Sequence, residues 1–391
     1  MNPIDFDAII ERRASGSAKW NWFDHDVLPM WVADMDFRAP DALIAALHER
    51  LDHGVFGYQM DEPALRTTLV ERLAARHAMQ ITPEQIVLLP GLVMGLNCIS
   101  AIVGTSGDGV LTQTPIYPPF LSAPVNQGRT LQTAPLTVSH DGASLTYTLD
   151  MDALAAAVTP RTRLFLLCSP HNPIGRVWTR GELEQIADFC VRHDLIIASD
   201  EIHCDLTYSA PQHISIASLS PEIAARTITM LAPSKTFNIP GLGLSVLIVQ
   251  DADLLKRMNE WRYGMGALVN ALGLTAGLAA YRDGQPWLDQ LMPYLQANRD
   301  LVIETIARDM PLLSMTVPDA TYLAWIDCRA LTLPDAQTPA AWFLEQGRVA
   351  FNDGATFGAG GAGFIRLNFA APRATVIEGL ARMKRAYDLL A

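Results

Sequence analysis

The chain has 391 residues, enough for two to three domains at about 150 residues each. Half of its residues are hydrophobic and 18% are charged, the balance of an ordinary soluble globular protein. Lys plus Arg total 29 against 41 Asp plus Glu, a net charge of −12 with no basic run, which argues against nucleic-acid and anionic-membrane partners. The start MNPIDFDAIIERR carries acids where a signal peptide needs a basic start and an apolar run. Apolar stretches such as 91–104 fall short of the roughly 20 residues that span a bilayer. The five cysteines, Cys98, Cys168, Cys190, Cys204 and Cys328, are scattered and form no CxxC pair. A reducing, cytoplasmic setting is expected, with neither a disulfide framework nor a zinc knuckle.

In chain order, short apolar runs predict buried strands over 86–89, 110–112, 163–167, 195–199, 227–231 and 244–249. Amphipathic patterns lie between most of them, such as the helix predicted over 179–193. Strands of about five residues alternating with helices indicate an α/β fold, a mostly parallel doubly wound sheet. The last third reads differently: a long helix over 285–309, a strand at 321–327, a helix near 339–346, a strand at 364–369 and a closing helix from Arg373. That pattern is a smaller α+β domain. The expected division is a large domain over 46–284 and a small one built from 1–45 and 285–391.

The chain has only four lysines, Lys19, Lys235, Lys256 and Lys384. Lys256 and Lys384 read as solvated helix faces, and Lys19 belongs to a polar N-terminal patch. Lys235 follows the apolar run TITMLAP and precedes the turn NIPGLG. A lysine at the mouth of a buried strand is desolvated, which lowers its pKa and suits it to Schiff-base chemistry. The plainer reading is a surface charge at a strand end.

Asp200 ends the run LIIAS, where a carboxylate can keep a pyridine nitrogen protonated; alone it reads equally well as a cap. Asp200, His203 and Asp205 do not make a convincing metal site, because no further ligand group has the right spacing. The strand IVLLP runs through Gly91 into an apolar helix whose first amides can hold an anion, although a plain strand–turn–helix reads the same way. The turn SPHNPIGR holds Asn172 at the sheet edge as a donor or as a simple turn residue. In FIRLNF, Arg366 and Asn368 share one face opposite Ile365, Leu367 and Phe369. An arginine flanked in this way suits a carboxylate clamp, or an ordinary solvent-facing position. Gly358, Gly360 and Gly363 satisfy GxGxxG but lead into a strand, where a dinucleotide fold needs a helix, so they read as a loop.

Jointly and in this order, SPHNPIGR, SDEIH and APSKTFNIPG resemble the fold-type I pyridoxal-phosphate enzymes of the class I/II aminotransferase superfamily. WVADMDF, FGYQ, PIYPPF, DEIHCD, AYRDGQPWL, TYLAWIDCR and the segment 351–373 resemble its cystathionine β-lyase (C–S lyase) branch, which includes a modulator of the maltose regulon. The resemblance implies pyridoxal 5′-phosphate as cofactor, held covalently by Lys235. Asp200 would pair with the ring nitrogen, Asn172 would contact the phenolic oxygen and Tyr117 would stack on the ring, with His203 beside it. The amides of Leu92 and Val93 and the Ser234 hydroxyl would bind the phosphate. Tyr58 would reach the phosphate of a neighbouring subunit, so a homodimer with shared active sites is implied. Arg366 would grip the substrate α-carboxylate, with Asn172 and Trp31 nearby.

The implied reaction is β-elimination from L-cystathionine or a related cysteine S-conjugate, giving a thiol, pyruvate and ammonia. The alternatives are amino transfer to a 2-oxo acid, and a lyase that also binds a transcription regulator. His203, Gly243 and Ala232 depart from common aminotransferase residues, and the first two agree with the lyase branch. Within that branch, Asp319–Ala320 stands where Glu–Gly is more usual.

Overall fold

The computed structural model describes residues 4–60, 62–208, 211–334 and 337–390. Residues 1–3 and 391, which the sequence reading gave to the small domain, lie outside them.

A seven-stranded sheet forms the centre, in the order Ile86–Leu89, Ser245–Val249, Thr227–Leu231, Ile196–Asp200, Thr162–Cys168, Gly109–Thr114, Thr130–Pro135. The strands 86–89, 109–114, 227–231 and 245–249 are buried at every residue. Both sheet faces are covered, which is why these strands read as continuous apolar runs rather than alternating ones. The five strands from 227–231 to 130–135 are parallel. Strand 245–249 is antiparallel to both of its neighbours. After 227–231 the chain turns through Pro233–Thr236 and comes directly back. A return without a helical crossover has to be antiparallel.

The covering helices follow the expected rules. Arg180–Arg192 starts at a capping box in which Thr179 and Glu182 satisfy each other's backbone amides. It buries Leu183, Ile186, Ala187 and Cys190, an i, i+3, i+4, i+7 stripe.

A second, six-stranded sheet has the order Asn352–Asp353, Phe364–Asn368, Leu323–Asp327, Ser314–Thr316, Ser144–Thr148, Thr137–Asp141. Its last two strands come from the middle of the chain, where no strand was expected. The stretch TVSHD at 137–141 has no apolar run and is mostly exposed, so it carries no hydrophobic signal. The helix Gln285–Asp309 has the expected bounds. Trp325 joins the two sheets: its ring stacks on Phe364 at 5.0 Å and belongs to the cluster holding Leu111, Phe165 and Leu183. Near the N-terminus, residues 28–29 pair in parallel with 349–350.

Among the described residues, no helix is long and apolar enough to cross a membrane. All five cysteines are free and buried.

Candidate active site

The C-terminal ends of strands 162–168, 196–200 and 227–231 open into a cavity of about 380 Å³. Open α/β sheets bind ligands at this edge. Its remaining walls are the start of helix Leu92–Ile102, the segment 31–33, and Asn352 and Arg366 from the second sheet.

Lys235 sits in the turn after strand 227–231, and its ammonium donates to the Ala33 carbonyl. Burial draws its pKa down to about 8, with Arg366 acting in the same sense and Asp34 and Asp200 opposing. Asp200 ends its strand and is 5% exposed. Burial pushes its carboxyl up to about 7, although the Ile202 amide donates to Oδ1 at 3.1 Å. A carboxylate so placed is stabilised by a cationic N–H. His203 lies beside it, and burial followed by the charges of Lys235 and Arg366 lowers its pKa to about 3. The imidazole is therefore neutral, and its buried Nδ1 has no hydrogen-bond partner among the described residues.

Arg366 is 3% exposed. Its Nη1 donates to Asn172 Oδ1 at 2.9 Å, and its Nη2 donates to Asn352 Oδ1 at 2.6 Å and to the Trp31 carbonyl at 3.4 Å. None of these acceptors is a carboxylate, and Nε is buried without a partner. Burial pulls this guanidinium down to about 10. A buried cation held only by neutral acceptors is arranged for an anionic ligand.

Asn172 uses its side-chain oxygen on Arg366, so its amide N–H₂ remains as a donor. The turn that carries it requires Gly175, where φ is +73° and a Cβ would lie 2.7 Å from the Pro318 side chain. Asp319 supports the same turn by accepting the Val177 amide at 3.2 Å. Tyr117 lines the cavity, and its amide donates to the Asn172 carbonyl at 3.2 Å. Leu92 and Val93 open helix 92–102 after Gly91, which offers no side-chain cap, and Ser234 stands on the same wall. Uncapped amides at a helix start bind anions such as phosphate.

Ten of the sequence-named residues thus share one cavity, Trp31 among them. Tyr58 does not: it is fully exposed and lines a separate groove. Asp205 also points elsewhere, paired with Arg72 at 2.9 Å and Arg76 at 3.0 Å. Among the described residues the group within metal-ligand range is His77, Cys204 and Asp205, and the two arginines already neutralise its carboxylate.

Residues 26–383 match the model of the aminotransferase class I and II family. The chain belongs to this family. Within the family it is 40% identical to the cystathionine β-lyase PatB of Bacillus subtilis, over 98% of this chain and all of that one. Cystalysin of Treponema denticola, a structure containing a pyridoxal 5′-phosphate cofactor, superposes with a TM-score of 0.94 at 34% identity over the whole of both chains. The pyridoxal-phosphate-bound C–S lyase of Staphylococcus hominis gives 0.90 at 31% identity over 98% of each.

Sequence reading missed several neighbours of the site. Asn352 stands opposite Arg366 in the strand register, in a strand of two residues that has no periodicity. Tyr322, fully buried, donates to the Ala33 carbonyl at 3.0 Å. Ala33 acts through its backbone, which no side-chain pattern reveals. Lys19, read as part of a polar patch, is 2% exposed.

Proposed function

We propose that the protein is a pyridoxal-phosphate-dependent C–S β-lyase acting on L-cystathionine or related cysteine S-conjugates. The observation that carries the reading is a buried Arg366 without a carboxylate partner, in the same cavity as a desolvated Lys235. One is a clamp for an α-carboxylate, and the other an amine for the carbon beside it. The lyase names of the relatives support the choice of reaction.

The residues fit the cofactor. The ionisable Asp200 suits a protonated ring nitrogen, the Asn172 amide a phenolic oxygen and the Tyr117 ring the pyridine face. The amides of Leu92 and Val93 with Ser234 suit the phosphate. When bound, pyridoxal phosphate supplies an electron sink for charge developing at the substrate α-carbon. Lys235 would hold it covalently until the substrate's amino group takes its place, which would free the lysine amine. Arg366 would hold the α-carboxylate by charge-assisted N–H bonds, its unpartnered Nε among the donors, and fix which bond at the α-carbon faces Lys235. A lysine pKa near 8 leaves part of the amine neutral at physiological pH, so Lys235 can accept the α-proton. That proton is then available to the departing sulfur. Asp200, once ionised, would keep the ring nitrogen protonated. His203, neutral beside it, adds no competing charge. The three-carbon product hydrolyses to pyruvate and ammonia.

The fully exposed Tyr58 supports a homodimer. With Val55, Phe56 and Met60 it forms an apolar exposed run outside this subunit's cavity, and in this reading it reaches the phosphate of the second subunit. The lobe division at 46–284 and a cytoplasmic location belong to the same reading.

Purified, cofactor-loaded protein is incubated with L-cystathionine and no 2-oxo acid. Pyruvate and free thiol appearing together over many turnovers is the expected result. Consumption of an added 2-oxo acid, with no thiol released, would transfer the reading to aminotransferase. A regulator retained equally well by wild type and Lys235→Ala would add a binding role separate from catalysis.

A further inference from the structure

Lys19 is one of the largest fully buried side chains in the molecule, and the chemistry above makes no use of it. It lies in the four-residue helix Ala18–Asn21. Its ammonium donates to Asp36 Oδ2 at 2.8 Å and to the Asp34 carbonyl at 3.2 Å. Its own carbonyl accepts the Trp31 indole N–H at 3.1 Å. A single residue therefore holds both ends of the segment 31–36. Arg12 and Trp20 complete the shell around Asp36, with the indole donating at 2.8 Å.

That segment is a wall of the active site. Trp31 lines the cavity, the Trp31 carbonyl accepts from Arg366, and the Ala33 carbonyl accepts from both Lys235 and Tyr322. Asn368 donates to the Val32 and Asp34 carbonyls, both at 2.7 Å. The segment is thus anchored to strand 364–368 on one side and to Lys19 on the other, where Arg12 and Asn238 also bind it. A buried ion pair is a poor stabiliser, because desolvating the two charges offsets most of their attraction. What it does provide is one fixed geometry, since both charges lose heavily if they separate.

We propose that Lys19 is a positioning residue: its buried pair with Asp36 locks the 31–36 segment and so holds the Ala33 carbonyl against the Lys235 amine. This rests on Lys235 being the reactive amine. The Lys19→Met side chain keeps the apolar stem and the backbone contact to Trp31 but removes the buried ammonium from the other end of the segment, where the bonds from Arg12, Trp20 and Asn238 remain.

Hydrogen exchange followed by mass spectrometry tests the lock without any reaction. In Lys19→Met the amides of 31–36 exchange at least about tenfold faster, as expected when one anchor of a packed segment is released, while strand 227–231 is unchanged. Loss of alignment at Lys235 lowers kcat about tenfold or more, and cofactor affinity changes by less than about twofold. Asp36→Asn, which keeps the Trp20 hydrogen bond, is the second variant if Lys19→Met fails to fold, and it shows the same pattern.

The double variant Lys19→Met/Asp36→Asn separates positioning from mere stability. It leaves no unpaired lysine charge and regains melting temperature, yet its kcat stays low. Recovery of kcat together with melting temperature would overturn the proposal, as would unchanged exchange in 31–36. If the wild type neither eliminates nor transaminates, the reaction reading fails on its own, and the exchange experiment still decides the lock.

Discussion

Arg366, on a strand of the second sheet, and Asn172, in the turn after strand 162–168 of the central sheet, meet in one hydrogen bond of 2.9 Å, guanidinium to side-chain amide oxygen. The bond fixes the amide orientation of Asn172 and leaves its N–H₂ as the donor. In the proposed reaction the same arginine has two duties, as a carboxylate clamp and as the group that orients a neighbouring donor. Arg366→Lys keeps the charge but loses the planar fork. With charge-assisted hydrogen bonds worth about 1.5–3 kcal/mol each, kcat/KM falls by about 100-fold or more. Steady-state kinetics on an amino-acid substrate check this, and the absorbance of the bound cofactor shifts as Asn172 loses its partner. Wild-type kinetics in Arg366→Lys would remove the clamp from the account.

Asp200 and Lys235 give the cofactor-free protein opposite pH dependences. Burial raises Asp200 from its ordinary 3.8 to about 7. Between these values the native state keeps a proton that the unfolded chain has lost, so stability falls as pH rises, by up to about 1.4 kcal/mol per unit. Lys235 is drawn from 10.5 down to about 8. In that window the unfolded chain holds the extra proton, so stability rises with pH. Urea midpoints measured against pH should lose the first slope in Asp200→Asn and the second in Lys235→Met. A slope that survives its own substitution would show that another group causes it.

Trp325 shares one core cluster with Leu111 and Phe165 of the central sheet. Within its own sheet it stacks on Phe364 with an interplanar angle of 9°, and its indole donates to the Tyr147 hydroxyl at 3.0 Å. Trp325→Ala should cost about 3–5 kcal/mol by leaving a cavity at the junction. A denaturation curve that splits into two transitions would mean that the sheets unfold separately once the bridge is gone.

Thr179 caps the helix Arg180–Arg192, and Glu182 answers it by accepting the Thr179 amide at 2.9 Å. Thr179→Ala should cost about 1 kcal/mol and leave kcat unchanged, because the cap lies away from the cavity. Chemical denaturation and steady-state kinetics measure the two effects independently.

Asp200 and Arg366 were legible in the sequence because each ends or interrupts a buried apolar strand, and Lys235 because it follows one closely, where a charge is conspicuous. The central strands were legible for the same reason. The strand at 137–141 was not, since its mostly exposed edge position asks for no apolar residues. The antiparallel course of 245–249 was hidden because periodicity carries no strand direction. Lys19 misled for a related reason. Its neighbours Ser17 and Asn21 are polar, and Asp36, which makes its burial tolerable, becomes its partner only through the tertiary fold.

The pairing of 28–29 with 349–350, and of the 31–36 segment with strand 364–368, has a consequence for how the molecule comes into being. These contacts join parts of the chain more than three hundred residues apart, and closures of that span come late in folding. During synthesis the strand that precedes Lys235 can form long before residue 366 leaves the ribosome. Until then the cavity lacks the wall that holds the Lys235 amine and the arginine that would admit a substrate. The complete cavity is therefore tied to the last fraction of translation, and a chain that stops before residue 366 carries Lys235 in an open, unfinished site.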